Sequence, residues 1–164
     1  MTPTPAQGLV IRQAEDADLS ALGQIEPRPE QKLAQKRFDE MTAGTGLLAV
    51  ATLDDEVVGM GYLDFVDHEL QPEVKNLWVV PEARRHGAGQ ELFTWLEDKA
   101  AEAGHKEVFL AVDPNNGRAL ALFLNRGYSP TGNHLFVDDP DTHQVVDPSQ
   151  VSNHYAIYQK SLTA

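Results

Sequence analysis

Cysteine is absent from this 164-residue chain. That excludes a disulfide framework, a thiol nucleophile and a Cys-ligated metal or iron–sulfur site. Basic residues are scarce: 13 Lys and Arg stand against 25 Asp and Glu, a formal net charge of −12. Nucleic-acid binders draw much of their affinity from Lys and Arg neutralising phosphates, so no nucleic-acid partner is expected. Nowhere do roughly 18 apolar residues run consecutively, and no membrane span is predicted. Met1 to Gly8 is polar, carries Pro3 and Pro5, and lacks the basic and apolar regions of a secretion signal. There is no Gly-x-Ser-x-Gly elbow for a nucleophilic serine. His134, His143 and His154 are widely spaced and expected in loops, so no metal site is predicted. The expectation is a cytoplasmic domain without a membrane partner.

What the chain does have is apolar content, 41%, against 23% charged residues. That is enough to bury a core, and the length fits one domain over 1–164. Leu9 to Ile11 reads as a strand, followed by a helix with Leu19, Leu22 and Ile25 on one stripe. A second helix is predicted over Pro29 to Met41. Leu47–Thr52 and Val57–Val66 read as a hairpin joined across the acidic turn Leu53-Asp54-Asp55-Glu56, with Gly59 and Gly61 marking a bulge or a close backbone approach. Val74–Val80 is the next strand. A helix from Gly87 to Gly104 follows, burying Ala88, Leu92, Leu96 and Ala100 and turning Glu91, Glu97, Asp98 and Glu102 outward. Trp78, Phe93 and Trp95 are expected to fill core. Val108–Val112 is a short strand, and a helix capped by Asn115 or Asn116 stops before Gly127. Strands near Leu135–Val137 and over His154–Leu162 close the chain. Between them, Asp138 to Asn153 reads as an exposed loop. The class is mixed α/β, with a mostly antiparallel sheet, at least one β-α-β unit and helices on both faces.

Chemistry concentrates in Val79-Val80-Pro81-Glu82-Ala83-Arg84-Arg85-His86-Gly87-Ala88-Gly89-Gln90. A strand ends there and a helix starts on two glycines. The first N–H groups of a helix have no intrahelical acceptor and carry partial positive charge. Glycines admit a phosphate close to them, and Arg84 and Arg85 add charge. Neither a Walker loop nor a dinucleotide fingerprint fits, because position 92, where the third Gly belongs, is Leu.

Arg84-x-x-Gly87-x-Gly89 after a strand resembles the Q/R-x-x-G-x-G/A signature of the GNAT superfamily of N-acetyltransferases. A second stretch, Asn116-x-x-Ala119-x-x-x-Phe123-x-x-x-Gly127-Tyr128, is similar to that family's Asn-x-x-Ala helix and its closing Gly-aromatic turn. The resemblance implies a twisted, mostly antiparallel sheet of about seven strands flanked by about four helices. It also implies acetyl-CoA as co-substrate, with the pyrophosphate on the amides of Arg85, His86, Gly87, Ala88, Gly89 and Gln90 beside Arg84. The pantetheine arm would lie along Leu77, Trp78 and Val79, whose amides serve some members as an oxyanion site. Asn116 and Phe123 complete the implied cofactor contacts.

Glu73 holds the place where some members carry a base glutamate, and a base is needed because an ammonium has no lone pair to attack with. Asp64, Asp67, His68 and Glu69 lie just before it and offer contacts to a cationic acceptor. Many members place a proton-donating Tyr where this chain has Phe123, so Tyr128 or a water would have to serve. The implied reaction is acetyl transfer to a primary amine by direct attack. The acceptor is read as a small cation, an amino acid or a peptide N-terminus, with the acidic composition favouring a cation. A homodimer is expected only from family habit. The competing readings are an acyl-CoA-binding module with little transfer, which Phe123 favours, and a plain phosphate site.

Overall fold

The computed structural model describes residues 8–26, 29–65, 72–112, 117–137 and 153–162. In chain order the elements are β1 (Leu9–Gln13), α1 (Leu19–Ile25), α2 (Leu33–Thr42), β2 (Gly46–Leu53), β3 (Glu56–Asp64), β4 (Glu73–Val79), α3 (Ala88–Glu102), β5 (Glu107–Val112), α4 (Gly117–Asn125), β6 (Ser129–Val137) and β7 (Asn153–Ser161). Seven strands form one sheet in the order β1-β2-β3-β4-β5-β7-β6. Every neighbouring pair is antiparallel except β4 and β5, which run parallel and share a single register position, Glu73 opposite Phe109.

Local chemistry explains several of these elements. The β2–β3 hairpin turns on Asp54 and Asp55, both with positive φ (51° and 69°). A two-residue turn of that hand matches the twist of the flanking strands, and Asp is among the residues that tolerate it. The predicted helix from Pro29 is split. A 3-10 turn covers Pro29–Gln31, Lys32 goes left-handed at φ 51°, and α2 begins only at Leu33. Its first-turn amide is taken by Glu26, whose buried Oε2 accepts the Leu33 N–H at 2.9 Å.

Alternation along the strands divides the core in two. One face packs Ala49, Leu63, Val74 and Val79 against Ala88, Leu92, Phe93 and Leu96 of α3. The other packs Leu48, Val50, Met60 and Tyr62 against Leu22 of α1 and Ala34 of α2. A leucine buried as fully as Leu92 or Leu96 contributes about 1.5–3 kcal/mol. The two glycines flagged in β3 have the close neighbours expected of them. A Cβ at Gly59 would stand 2.8 Å from the Trp78 carbonyl oxygen, and one at Gly61 would stand 2.9 Å from Leu96 Cδ1.

Four expectations need correction or fall outside the description. Glu97 does not face solvent: it is 7% exposed and bonded on three sides. His134 and His154 stand in strands β6 and β7 rather than in loops. The expected loop from Asp138 lies outside the described residues up to position 152, as does His143. The Asn115 and Asn116 cap of α4 also lies outside them. No helix among the described residues is long and apolar enough to cross a membrane.

Candidate active site

From the end of β4, Pro81–His86 form a 3-10 stretch with proline at its start, where the missing N–H costs nothing. Arg84 folds back, and its Nε donates to the Val79 carbonyl oxygen at 3.0 Å, fastening the turn to the strand end. Gly87 then takes φ 82°, ψ 12°, the left-handed conformation that glycine adopts freely, and becomes the N-cap of α3. The Glu91 N–H bonds the Gly87 carbonyl at 3.0 Å, so the amides of Ala88, Gly89 and Gln90 precede the helical ladder. Gly87 has no side chain to cap them, and no side chain among the described residues is hydrogen-bonded to them. A Cβ placed on Gly89 would meet only Val79 Cγ2, at 3.9 Å, so a large group can approach there. Uncapped amides at the positive end of a 15-residue helix make an anion cradle.

The strand leading into this turn is opened on one side. Past Glu73, β4 has no further register partner in β5. On its other side, the β3 pairing skips: Met60 faces Trp78 and Tyr62 faces Lys75, so Gly61 opposes both Asn76 and Leu77. This is a bulge, with Asn76 at φ 54°. A left-handed residue with a side chain costs about 1–2 kcal/mol, least for Asn or Asp, which bond locally. Here the Asn76 Oδ1 accepts from Arg37 Nε of α2 at 2.7 Å, with both residues buried.

Glu73 sits where β4 and β5 part, and its side chain is 0% exposed. Asp64 lies directly opposite it, and the Asp64 Oδ2 pairs with Lys75 Nζ at 2.6 Å, both side chains buried. Asp64 is therefore spent on an internal cation, not offered to an acceptor. Asp67, His68 and Glu69 lie outside the described residues.

Of the residues expected to hold a cofactor, Leu77 and Trp78 are half-buried and Val79 is buried along the opened strand. The Trp78 indole N–H is buried and has no hydrogen-bond partner among the described residues. Arg84 and His86 are exposed in the turn that also carries Arg85, and Ala88, Gly89 and Gln90 form the first turn of α3. Asn116 lies outside the described residues. Phe123 packs its ring 5.5 Å from Phe93 and 6.3 Å from Tyr128.

Tyr128 is not a free proton donor. Its hydroxyl donates to Glu97 Oε2 at 2.7 Å, and burial together with the Glu97 charge pushes its pKa far up. The same carboxylate accepts from Arg126 Nη2 at 2.7 Å and Lys160 Nζ at 3.1 Å. Arg126 Nη1 also donates to Gln90 Oε1 at 2.6 Å, tying the end of α4 to the first turn of α3.

A match to the acetyltransferase (GNAT) family spans residues 11–128 and takes in the strand, the turn and both helices. The chain belongs to the GNAT acetyltransferase family. An uncharacterized N-acetyltransferase of Lactobacillus delbrueckii subsp. lactis, from the 3′ region of pepI, is 30% identical over 98 residues. That alignment covers 55% of this chain and 57% of the relative, so the chain spans little more than half of the curated relative's length. Solved GNAT structures share the fold. The ribosomal-protein-S18-alanine N-acetyltransferase of Escherichia coli has a TM-score of 0.71 at 21% identity, with 95% of each chain covered. YncA of Salmonella typhimurium, solved with acetyl-CoA, has a TM-score of 0.70 at 16% identity, again with 95% of each covered. The expected fold of a mostly antiparallel seven-stranded sheet with four helices is the one observed.

Neither Arg37 nor Asn76 stands out as a functional residue in the sequence. The signal available for Asn76 was its residue type, which tolerates positive φ, in an otherwise apolar strand. Arg37 lies 39 residues away, and only the fold brings the two together.

Proposed function

We propose that the chain transfers an acetyl group from acetyl-CoA to a primary amine by direct attack. The observation that supports it most is the helix start at Gly87: three amides without a side-chain cap, reached along a strand that has parted from its neighbour. In this reading the pyrophosphate rests on the Gly87–Gln90 amides with Arg84 and Arg85 beside it, and the pantetheine arm fills the opening along Leu77–Val79. The amine nitrogen attacks the thioester carbonyl carbon, the C–N bond forms, the C–S bond breaks, and the electron pair leaves on sulfur. Amides near the bulge stabilise the oxyanion. A thiol with a pKa of about 8.5, like that of free Cys, leaves without a strong acid.

Glu73 is the proposed base, placed at the apex of the opening. Its full burial means the proton reaches it through a relay rather than by contact with bulk water. The acceptor class is a cationic amine, in keeping with the acidic chain. The reaction is tested by following thiol release from acetyl-CoA over a panel of polyamines, aminoglycosides, amino acids and peptides. Sustained acceptor-dependent release is expected. Glu73→Gln should lower kcat about 10²-fold or more near neutral pH with CoA affinity retained; unchanged turnover removes Glu73 from the mechanism.

A second reading is favoured by the occupied hydroxyl of Tyr128 and by Phe123, which leave no tyrosine free at this place to protonate the thiolate. It is a CoA-binding module with little transfer. Tight CoA binding with no release over the whole panel would select it. Stabilisation by CoA no greater than by pyrophosphate would reduce the cradle to a phosphate site.

A further inference from the structure

We infer that Arg37 is a positioning residue for acetyl transfer, reaching from α2 to lock Asn76 and so fix the β4 bulge in the shape the thioester meets. The inference rests on the acetyl-transfer reading above and adds to it a residue remote from the cofactor cradle.

Several contacts hold the Arg37 guanidinium. Its Nε donates to Asn76 Oδ1 at 2.7 Å, its Nη1 donates to both Glu40 oxygens at 2.9 and 3.1 Å, and its centre lies 5.2 Å from the Tyr62 ring centroid. The fork therefore has one orientation, set within α2 by Glu40 and across the interface by Tyr62. Asn76 is held at the one place in β4 where φ is positive. Burying a guanidinium carries a desolvation cost that an apolar side chain of similar size avoids, so stability alone is a poor reason for it.

The place of the lock gives it meaning. Asn76 lies in the stretch of β4 that β5 has released, between Glu73 at the apex and the turn into α3. A strand with a neighbour on each side has its amides aimed by two ladders. This stretch keeps only the β3 side, and there the ladder skips at Gly61. The side chain of Asn76, gripped from α2, takes over the aiming. Such control is consequential, since displacing a reacting group by about 1 Å can cost 10²-fold in rate.

The test compares Arg37→Met, Arg37→Lys, Asn76→Gly and the Arg37→Met/Asn76→Gly double variant. Glycine keeps the left-handed backbone without strain and removes the side chain that Arg37 grips, so Asn76→Gly remains informative should Arg37→Met fold poorly. Each variant is expected to lose about tenfold or more in kcat while its CoA dissociation constant, by calorimetry, stays within about twofold. The double variant should be no slower than the worse single one, because both break one contact. Arg37→Lys keeps the charge for Glu40 but lacks the guanidinium fork, and should not rescue. Unchanged kcat, rescue by Lys, or losses that add and follow CoA affinity would overturn the proposal.

Amide hydrogen exchange supplies a readout independent of turnover. Asn76 and Leu77 should exchange about tenfold faster in Arg37→Met, with the α3 amides unaffected. Equal exchange at those amides overturns the lock. A wild type that exchanges as expected but transfers to no amine instead overturns the acetyl-transfer reading, and the catalytic part of this proposal with it.

Discussion

Two helices of this chain start in nearly the same way and are completed differently. Both α2 and α3 begin at a left-handed residue, Lys32 at φ 51° and Gly87 at φ 82°, and neither N-cap offers a side chain to its own first turn. At α2 the deficit is met from within: Glu26 swings a buried carboxylate onto the Leu33 amide at 2.9 Å. At α3 no side chain among the described residues does so, and glycines keep the approach clear. The same electrostatics operate at both ends, so the difference lies in which anion answers. One is supplied by the protein and serves the fold; the other place fits an anion from outside.

The sharpest way to break that contrast is to block the open start. Gly89→Trp should raise the CoA dissociation constant at least about 100-fold, or about 2.7 kcal/mol, while the thermal midpoint stays near wild type. Retained affinity in the folded variant would show that the anion does not bind there. Unplugging the closed start comes next. Glu26→Ala leaves a buried N–H unsatisfied and should cost about 1–3 kcal/mol in denaturant unfolding with CoA affinity unchanged. A parallel loss of affinity would mean that the two ends are not independent.

A third start gives the smallest effect and a pH signature. Ahead of α1, Asp18 accepts the Glu15 N–H at 2.7 Å and is held by Arg12 at 2.7 and 2.9 Å. The Arg12 hydrogen bonds hold its carboxyl below the usual value of 3.8. A native pKa below the unfolded one means that the stabilisation is complete above about pH 5 and fades as acid protonates Asp18 through its depressed native value. Asp18→Ala should therefore cost about 1 kcal/mol at neutral pH, kept modest by the partial exposure of Arg12, and progressively less below pH 4. A gap between variant and wild type that does not narrow as the pH falls below 4 would refute the assignment.

What the sequence disclosed follows from the range of its signals. Alternation, turn residues and helical spacing act over a few positions, so the order of strands and helices, an acidic turn within Leu53–Glu56 and the glycine start of α3 were all readable. The apolar stripe of α3 was readable too, but the fate of Glu97 was not. Its partners Arg126, Tyr128 and Lys160 stand 29, 31 and 63 residues away, so a charge that looked solvated along one helix is enclosed by the distant α4–β6 turn and by β7. The split before α2 escaped for a similar reason, since the carboxylate that answers Leu33 lies outside the helix it completes. At the site, the loop was legible because glycine and arginine are local marks. The grip of Arg37 on Asn76 was hidden by 39 intervening residues.

The single register pair between β4 and β5 has a consequence for the mechanics of the whole molecule. Four strands on one side and three on the other are each laced by antiparallel bonding, yet they meet at one stitch, Glu73 with Phe109, under the span of α3. A molecule wedged into that seam and touching both leaves acts as a crossbar, adding free energy as RT ln(1 + [L]/Kd). Heat resistance of this protein should then rise with the concentration of whatever fills the seam, and its melting curve becomes a gauge of occupancy.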